Sequence, residues 1–266
     1  MNNIILSDAR YFQIIFLTSF LGYGLFFLGW DNNMERYLVT FSVCIITQLI
    51  GIYYTKKDFH TLKSAMITTL GLCLLLRSDN IWAIALASSL AIGSKFIIQY
   101  QKKHIFNPAN FGIILSILIT QQTWISPGQW GNGTILLFLI GSLGIAVVTK
   151  VQKLDIAFAF LGTLIILQGY RTLIYLGWTI DVLLQSFTSG SLILFTFFMI
   201  TDPVSTPNAL IARVIFGIIV AILTFYLANY QFVNGAAVWA LFFVSPLTWL
   251  LDYLFRGHRF IWIPKT

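Results

Sequence analysis

Two short stretches gather polar side chains beside prolines in an otherwise apolar chain. One is Thr201-Asp202-Pro203-Val204-Ser205-Thr206-Pro207, between the apolar runs Leu192–Ile200 and Ala212–Ala228. The other is Phe106-Asn107-Pro108-Ala109-Asn110-Phe111-Gly112, just before the run Ile113–Ile119. Proline lacks an N–H and disfavours helical geometry in the residue before it, so neither stretch continues a regular helix. An acid, amides and hydroxyls are thus held on irregular backbone at the edge of an apolar medium. The plainest reading is a pair of Pro-marked turns at helix ends. Two matching turns in one chain, both rich in Asn, Asp, Ser or Thr, point further, to a shared site.

The candidate side chains divide in the same way. Asn107 and Asn110 either satisfy backbone at a helix start or offer amide donors and acceptors to a heterocycle such as an isoalloxazine ring. Thr201, Asp202 and Ser205 are the polar members of the second stretch. Lys95 is the one basic residue inside an apolar span, near its end. It either snorkels to the interface or faces inward to meet an anionic ligand group or Asp202. Ser189 belongs to the small-residue cluster Ser186, Thr188, Ser189, Gly190 and Ser191. Close helix packing is the ordinary use of such a cluster; a ligand-facing surface is the other. Asp155 reads as a possible N-cap.

The elements that position these residues are membrane helices. Of 266 residues, 58% are apolar and 9% charged, and mean hydropathy is +0.84. A soluble domain carries about a quarter charged residues. A bilayer crossing needs about 20 apolar residues. Ten runs qualify or nearly so: 11–30, 37–54, 62–76, 81–99, 109–124, 134–149, 155–170, 182–200, 210–228 and 236–254. The third and fifth are short, as expected where a helix breaks or is shielded by neighbours rather than lipid. The first run reads as a span rather than a cleaved signal, because no small-x-small site follows it. With the N-terminus cytoplasmic, twelve Lys and Arg fall in inner loops. Only Arg36, Arg77 and Arg171 fall outside, and Lys95 lies within a span. That asymmetry is the positive-inside pattern, and it places both termini in the cytoplasm. The net charge of +7 therefore reflects insertion rather than nucleic-acid binding.

The expected fold is an all-α polytopic membrane protein of about ten transmembrane helices. It forms a single transmembrane domain over 1–266. Phe106-Asn107-Pro108-Ala109-Asn110 opens the fifth span and Phe232-Val233-Asn234-Gly235-Ala236 the tenth. Five spans per half invert one half relative to the other. The expected pseudo-repeats are about 1–130 and 131–266, and ligand sites in such folds lie near the repeat interface.

Several chemistries are excluded. His60, His104 and His258 all fall in cytoplasmic loops, so no span carries axial ligands for a b-type haem. Cys44 and Cys73 cannot by themselves hold a four-thiolate cluster. No dinucleotide fingerprint, phosphate-binding loop or His-Glu-x-x-His motif occurs. None of the nine acids sits at the middle of a span, which argues against a self-sufficient ion-coupled antiporter. No metal site is expected.

Taken together, Gly93-Ser94-Lys95, Phe106–Gly112, Ser189-Gly190-Ser191 and Phe197–Pro207 carry a resemblance. They resemble the pattern shared by the B subunit of the sodium-translocating NADH:quinone reductase and the D subunit of the Rnf electron-transport complex. The likeness runs from about Leu62 to Asp252. It implies ten spans in a two-fold inverted repeat, flavin, and electron transfer coupled to sodium or proton movement. It also implies a multi-pass location in the bacterial inner membrane, beside other membrane redox subunits. Family members take FMN covalently on a threonine of a Ser/Thr-Gly-Ala-Thr motif in an outer loop. The nearest approach here is Gly131-Asn132-Gly133-Thr134, which lacks the alanine.

The resemblance therefore implies non-covalent riboflavin or FMN rather than covalent FMN, with Lys95, Asn107, Asn110, Ser189, Thr201, Asp202 and Ser205 as the cofactor-binding candidates. The leading expectation is an integral membrane subunit of Rnf/Nqr-like electron transport coupled to cation movement. A small-molecule or flavin transporter with the same repeat is the first alternative. A non-catalytic biosynthetic or assembly partner is the second.

Overall fold

The computed structural model describes residues 8–30, 33–56, 58–101, 103–126, 144–145, 148–149 and 152–260. They divide into two units, one within residues 1–126 and one within 127–260.

In the first unit, α1 (Ala9–Phe27) starts at Asp8, whose carboxylate accepts the Arg10 N–H. Helix α2 (Met34–Thr55) follows, and its 22 residues span about 33 Å, enough to cross a bilayer. A single tight turn, Phe59–Thr61, leads into α3 (Leu62–Leu75). Then come α4 (Ile81–Ile97) and α5 (Pro108–Thr120).

Helices α3 and α5 are too short to span alone, and their burial explains why they can be. Leu70, Leu72, Leu74 and Leu75 of α3 are all buried, as is every residue of α5 from Pro108 to Ile114. They are covered by neighbouring helices rather than lipid. By contrast α2 exposes Leu38, Ile46, Leu49, Ile50, Tyr53 and Tyr54. An apolar face of that extent is stable in lipid and a liability in water.

The packing within this unit follows from small residues. A Cβ on Gly112 would stand 2.5 Å from the Ala87 carbonyl oxygen and 2.6 Å from Ala91 Cβ. Glycine thus lets α5 lie directly on α4. Helix α2 meets α4 where the Cys44 thiol points at the Ser88 carbonyl, 3.9 Å away.

The all-helical expectation needs one addition. Strand β1 (Leu76–Ser78) pairs antiparallel with β4 (Thr123–Ile125), with Arg77 opposite Trp124. Strand β2 (Gln99–Tyr100) pairs with β3 (Lys103–His104). These ladders tie helix ends together. The first joins the ends of α3 and α5, the two ends that the charge pattern places on one side of the membrane.

In the second unit, α6 (Leu154–Gly169) runs on into a π-helical stretch, Tyr170–Tyr175, closed by Leu176 N–H to Arg171 O at 2.9 Å. Helices α7 (Ile180–Phe187) and α8 (Gly190–Leu194) follow, the latter continuing as a second π stretch, Phe195–Met199. Then come α9 (Leu210–Asn229), α10 (Ala236–Val244) and α11 (Leu247–Leu254). Gly217 of α9 plays the part that Gly112 plays in α5: its Cβ would stand 2.9 Å from the Ile156 carbonyl oxygen of α6.

Two expected spans are broken rather than continuous. The run 182–200 bends by 54° between α7 and α8, and 236–254 bends by 52° between α10 and α11. At the first break Thr188 and Ser189 leave the helix. At the second, Pro246 cannot supply the N–H that an unbroken helix would need. Three helical segments, Met34–Thr55, Leu154–Tyr175 and Leu210–Asn229, are long and apolar enough to cross a membrane unbroken. The chain is a helical, polytopic membrane protein. Most of the expected sixth span, 134–149, lies outside the described residues.

Candidate functional site

Each proline-marked stretch forms a knot in its own unit. In the first, Asn107 takes an extended backbone, Pro108 occupies the opening helical position, and the Asn107 side chain accepts the Asn110 N–H at 3.1 Å. This is an N-cap, which satisfies a donor that the helix itself leaves orphaned. Asn110 is completely buried, and the Phe106 and Phe111 rings meet at 5.2 Å over the turn.

Lys95 belongs to the same unit and does not snorkel. It is only 4% exposed. Its Nζ donates to the Ser64 carbonyl at 2.8 Å and lies 3.2 Å from the Ser64 hydroxyl. The ammonium thus bridges α4 to the start of α3. The Lys95 carbonyl in turn accepts from the Gln99 amide.

In the second unit Asp202 organises the loop after the second π stretch. Its Oδ1 accepts the Val204 N–H at 3.2 Å, and its Oδ2 accepts the Ser205 hydroxyl at 2.9 Å. Its carbonyl accepts the Thr206 N–H and hydroxyl. Thr201 donates its hydroxyl to Phe197 O at 2.7 Å. Thr201 and Ser205 are buried, while Asp202 is partly open. Ser189 caps the broken span, with its Oγ 2.7 Å from Ser191 Oγ. Its place is therefore the break itself, not the interior of a continuous helix.

The structure thus gathers Thr201, Asp202 and Ser205 into one loop, and Asn107 with Asn110 into one cap. The two groups belong to different units. The Asn107, Thr201, Asp202 and Ser205 side chains all hold their own turns, the role that the plainest sequence reading assigned them. The expected loop at Gly131-Asn132-Gly133-Thr134 lies outside the described residues. Among the described residues no three metal-ligating side chains converge.

Long-range partners of the second loop escaped the sequence. Lys153, 3% exposed, donates to the Pro207 carbonyl at 3.2 Å. Arg213 donates to Asn208 O and to the Asp155 carboxylate. Asp252 accepts the Asn208 N–H, and Thr248 donates to Ser205 O. Asp155 therefore serves chiefly as the partner of Arg213. No sequence signal links residues so far apart. In the first unit Asp8 is gripped by Arg10 and Lys63 at 2.8 and 3.1 Å. Burial pushes its carboxyl up, but the hydrogen bonds from both cations and from the Arg10 backbone outweigh that and hold it below its ordinary value.

A helical fold with apolar membrane-crossing segments, its polar knots at helix ends in two separate units, defines a class of integral membrane proteins. The family follows directly. Residues 101–260 match the model of the NQR2, RnfD, RnfE family, and the chain belongs to that family. The match covers both knots and leaves Lys95 outside. The chain is 30% identical over 132 residues to the D subunit of the ion-translocating oxidoreductase complex of Vibrio vulnificus (strain YJ016), covering 50% of this chain and 36% of that protein. It is 28% identical over 140 residues to the protein of the same name from Shewanella pealeana (strain ATCC 700345 / ANG-SQ1), covering 51% and 37%. The chain thus spans little more than a third of the length of the curated relatives it matches.

Proposed function

We propose that this protein is an integral membrane subunit of an Rnf/Nqr-like electron-transport assembly in the bacterial inner membrane. The observation that carries the reading is the family match over 101–260, which includes every candidate residue except Lys95. In this reading ten spans form two inverted five-helix repeats with both termini cytoplasmic. The helix pairing within each unit supports it: α2 packs on α4, the second and fourth expected spans, as α6 packs on α9, the seventh and ninth. Its partners are other membrane redox subunits, and electron transfer is coupled to movement of a cation.

Riboflavin or FMN is the proposed cofactor, held without a covalent bond. The side chains that fit such a group are the ones at the rims of the knots. They are the partly open Asp202 carboxylate and the hydroxyls of Ser189 and Ser191, which a ring or ribityl chain can engage. When bound, the flavin supplies the one- and two-electron chemistry; the protein supplies binding and polarity. Co-isolation of redox subunits with the tagged chain from its native membrane, with flavin absorbance in the complex, is the expected result. Isolation of the chain alone, without flavin, counts against it.

The two broken spans favour a second reading, a carrier for a flavin or another small polar molecule. Interrupted helices expose backbone N–H and C=O groups, and in transporters such groups hold the substrate. Riboflavin flux into liposomes that needs no electron donor would favour this reading over the first.

A further inference from the structure

Helix α11 turns its larger side chains outward. Thr248 and Leu251 are buried on its inner side. Trp249, Leu250, Tyr253 and Leu254 form one stripe on the other, each joined to the next by helical neighbour spacing. Trp249 is 51% and Tyr253 77% exposed. Residues 236–254 make about 28 Å of helix, close to the thickness of a bilayer core, so Leu254 stands near a membrane surface. Trp and Tyr suit that level, where an apolar ring body meets lipid and its polar edge meets headgroups.

Basic residues follow at once. Arg256, His258 and Arg259 are exposed. The acid of this segment, Asp252, is turned inward and accepts the Asn208 N–H at 2.7 Å. No carboxylate is exposed between residues 247 and 260. The basic tail also lies against the start of α9, where a Cβ on Gly257 would stand 2.6 Å from the Ala209 nitrogen. Beyond Ala209, Leu210 and Ile211 are exposed. Guanidinium groups thus stand between two apolar surfaces at the end of a membrane span.

We infer that this surface binds an anionic glycerophospholipid, with acyl chains along Leu250, Leu254 and Leu210 and the phosphate at Arg256 and Arg259. Guanidinium groups match phosphate oxygens in geometry as well as charge. A zwitterionic headgroup brings its own ammonium, which these arginines repel; a glycerol headgroup does not. An apolar helix of another protein would cover the stripe and leave the guanidinium groups unmatched. The bound lipid also braces the Asp202 loop, because α11 holds that loop from its inner side. Thr248 donates to Ser205 O, and Asp252 takes the Asn208 N–H. The inference needs neither a flavin nor a redox partner, and it holds for either orientation of the chain in the membrane.

The test uses the full chain in detergent, titrated with phosphatidylglycerol or with phosphatidylcholine of the same acyl chains. Phosphatidylglycerol should raise the unfolding midpoint by a few degrees, saturably, and phosphatidylcholine or inorganic phosphate should not. The rise should shrink as salt increases, since exposed charges are screened. It should be largely lost in Arg256→Gln/Arg259→Gln and kept in Lys56→Gln, a basic residue of the other unit. Should the double variant fail to fold, hydrogen exchange on the wild-type protein decides. Slower exchange over 201–208 and 247–260 with phosphatidylglycerol alone supports the site. Equal midpoints and equal exchange with the two lipids, or equal losses in the two variants, would overturn it.

Discussion

The Arg213 guanidinium grips the Asp155 carboxylate, with Nε and Nη2 at 2.6 and 2.5 Å from the same oxygen. This pair bolts the start of α9 to the start of α6. Its third nitrogen, Nη1, donates to Asn208 O at 2.5 Å, where the Asp202 loop ends. The conformation of the loop thus depends on an ion pair between residues far apart in the sequence.

Breaking that pair should loosen the loop as well as the helix contact. The two side chains are 13% and 16% exposed, between the surface and fully buried cases. Asp155→Asn or Arg213→Met should each cost roughly 1–3 kcal/mol. The double variant should lose less than the sum, as expected for contacting partners. Thermal unfolding of the four proteins measures the coupling, and proteolysis within 201–208 reports the loop.

Asp202 separates a capping role from a ligand role. Asp202→Ala removes both acceptors, for Val204 N–H and the Ser205 hydroxyl, and should cost about 1 kcal/mol. Asp202→Asn keeps one acceptor oxygen and should cost less. If the carboxylate also meets a ligand, Asp202→Asn should weaken binding of riboflavin or FMN while leaving the unfolding midpoint nearly unchanged. Fluorescence titration with the two flavins measures this.

Asp8 should make the first unit acid-sensitive. Its folded-state value lies below the ordinary 3.8, so the unfolded chain takes up the proton first as pH falls. The stability it contributes is therefore complete above that ordinary value, and it is lost as pH drops through the lower folded value. Midpoints recorded from pH 6 down to pH 3 should fall more steeply for the wild type than for Asp8→Asn.

Glycine substitutions should split by their surroundings. A Cβ at Gly112 meets the Ala87 carbonyl at 2.5 Å, backbone that cannot easily yield, so Gly112→Ala should cost about 1–3 kcal/mol. A Cβ at Gly162 of α6 meets nothing within 4 Å. Gly162→Ala should instead gain a few tenths to about 1 kcal/mol from helix propensity. Unfolding midpoints of the two variants should move in opposite directions.

Local signals carried much of this fold. Asn107-Pro108 announces an N-cap and a first-turn proline, and a cap is what forms. The short third and fifth runs announced shielded helices, and α3 and α5 are buried along most of their length. What stayed hidden was of two kinds. The breaks at Thr188-Ser189 and Ser245-Pro246 sit inside runs whose hydropathy stays high, so a window of apolar residues passes over them. Pro246 was the available signal, since it removes a helical N–H. The clamps on the Asp202 loop from Lys153, Arg213, Thr248 and Asp252 are long-range contacts, which no periodicity encodes. Lys95 was a subtler case: the sequence allows both snorkelling and burial, and only packing against Ser64 decides.

A loosely held flavin is the central feature proposed for this membrane subunit. The direct measurement is the flavin-to-protein ratio of the purified chain, with intact-mass spectrometry before and after acid precipitation. The expected result is about one riboflavin or FMN per chain, released by acid, and a protein mass equal to that of the unmodified sequence. A chain that stays colourless when supplied with both flavins, or one whose mass retains FMN after precipitation, would contradict it.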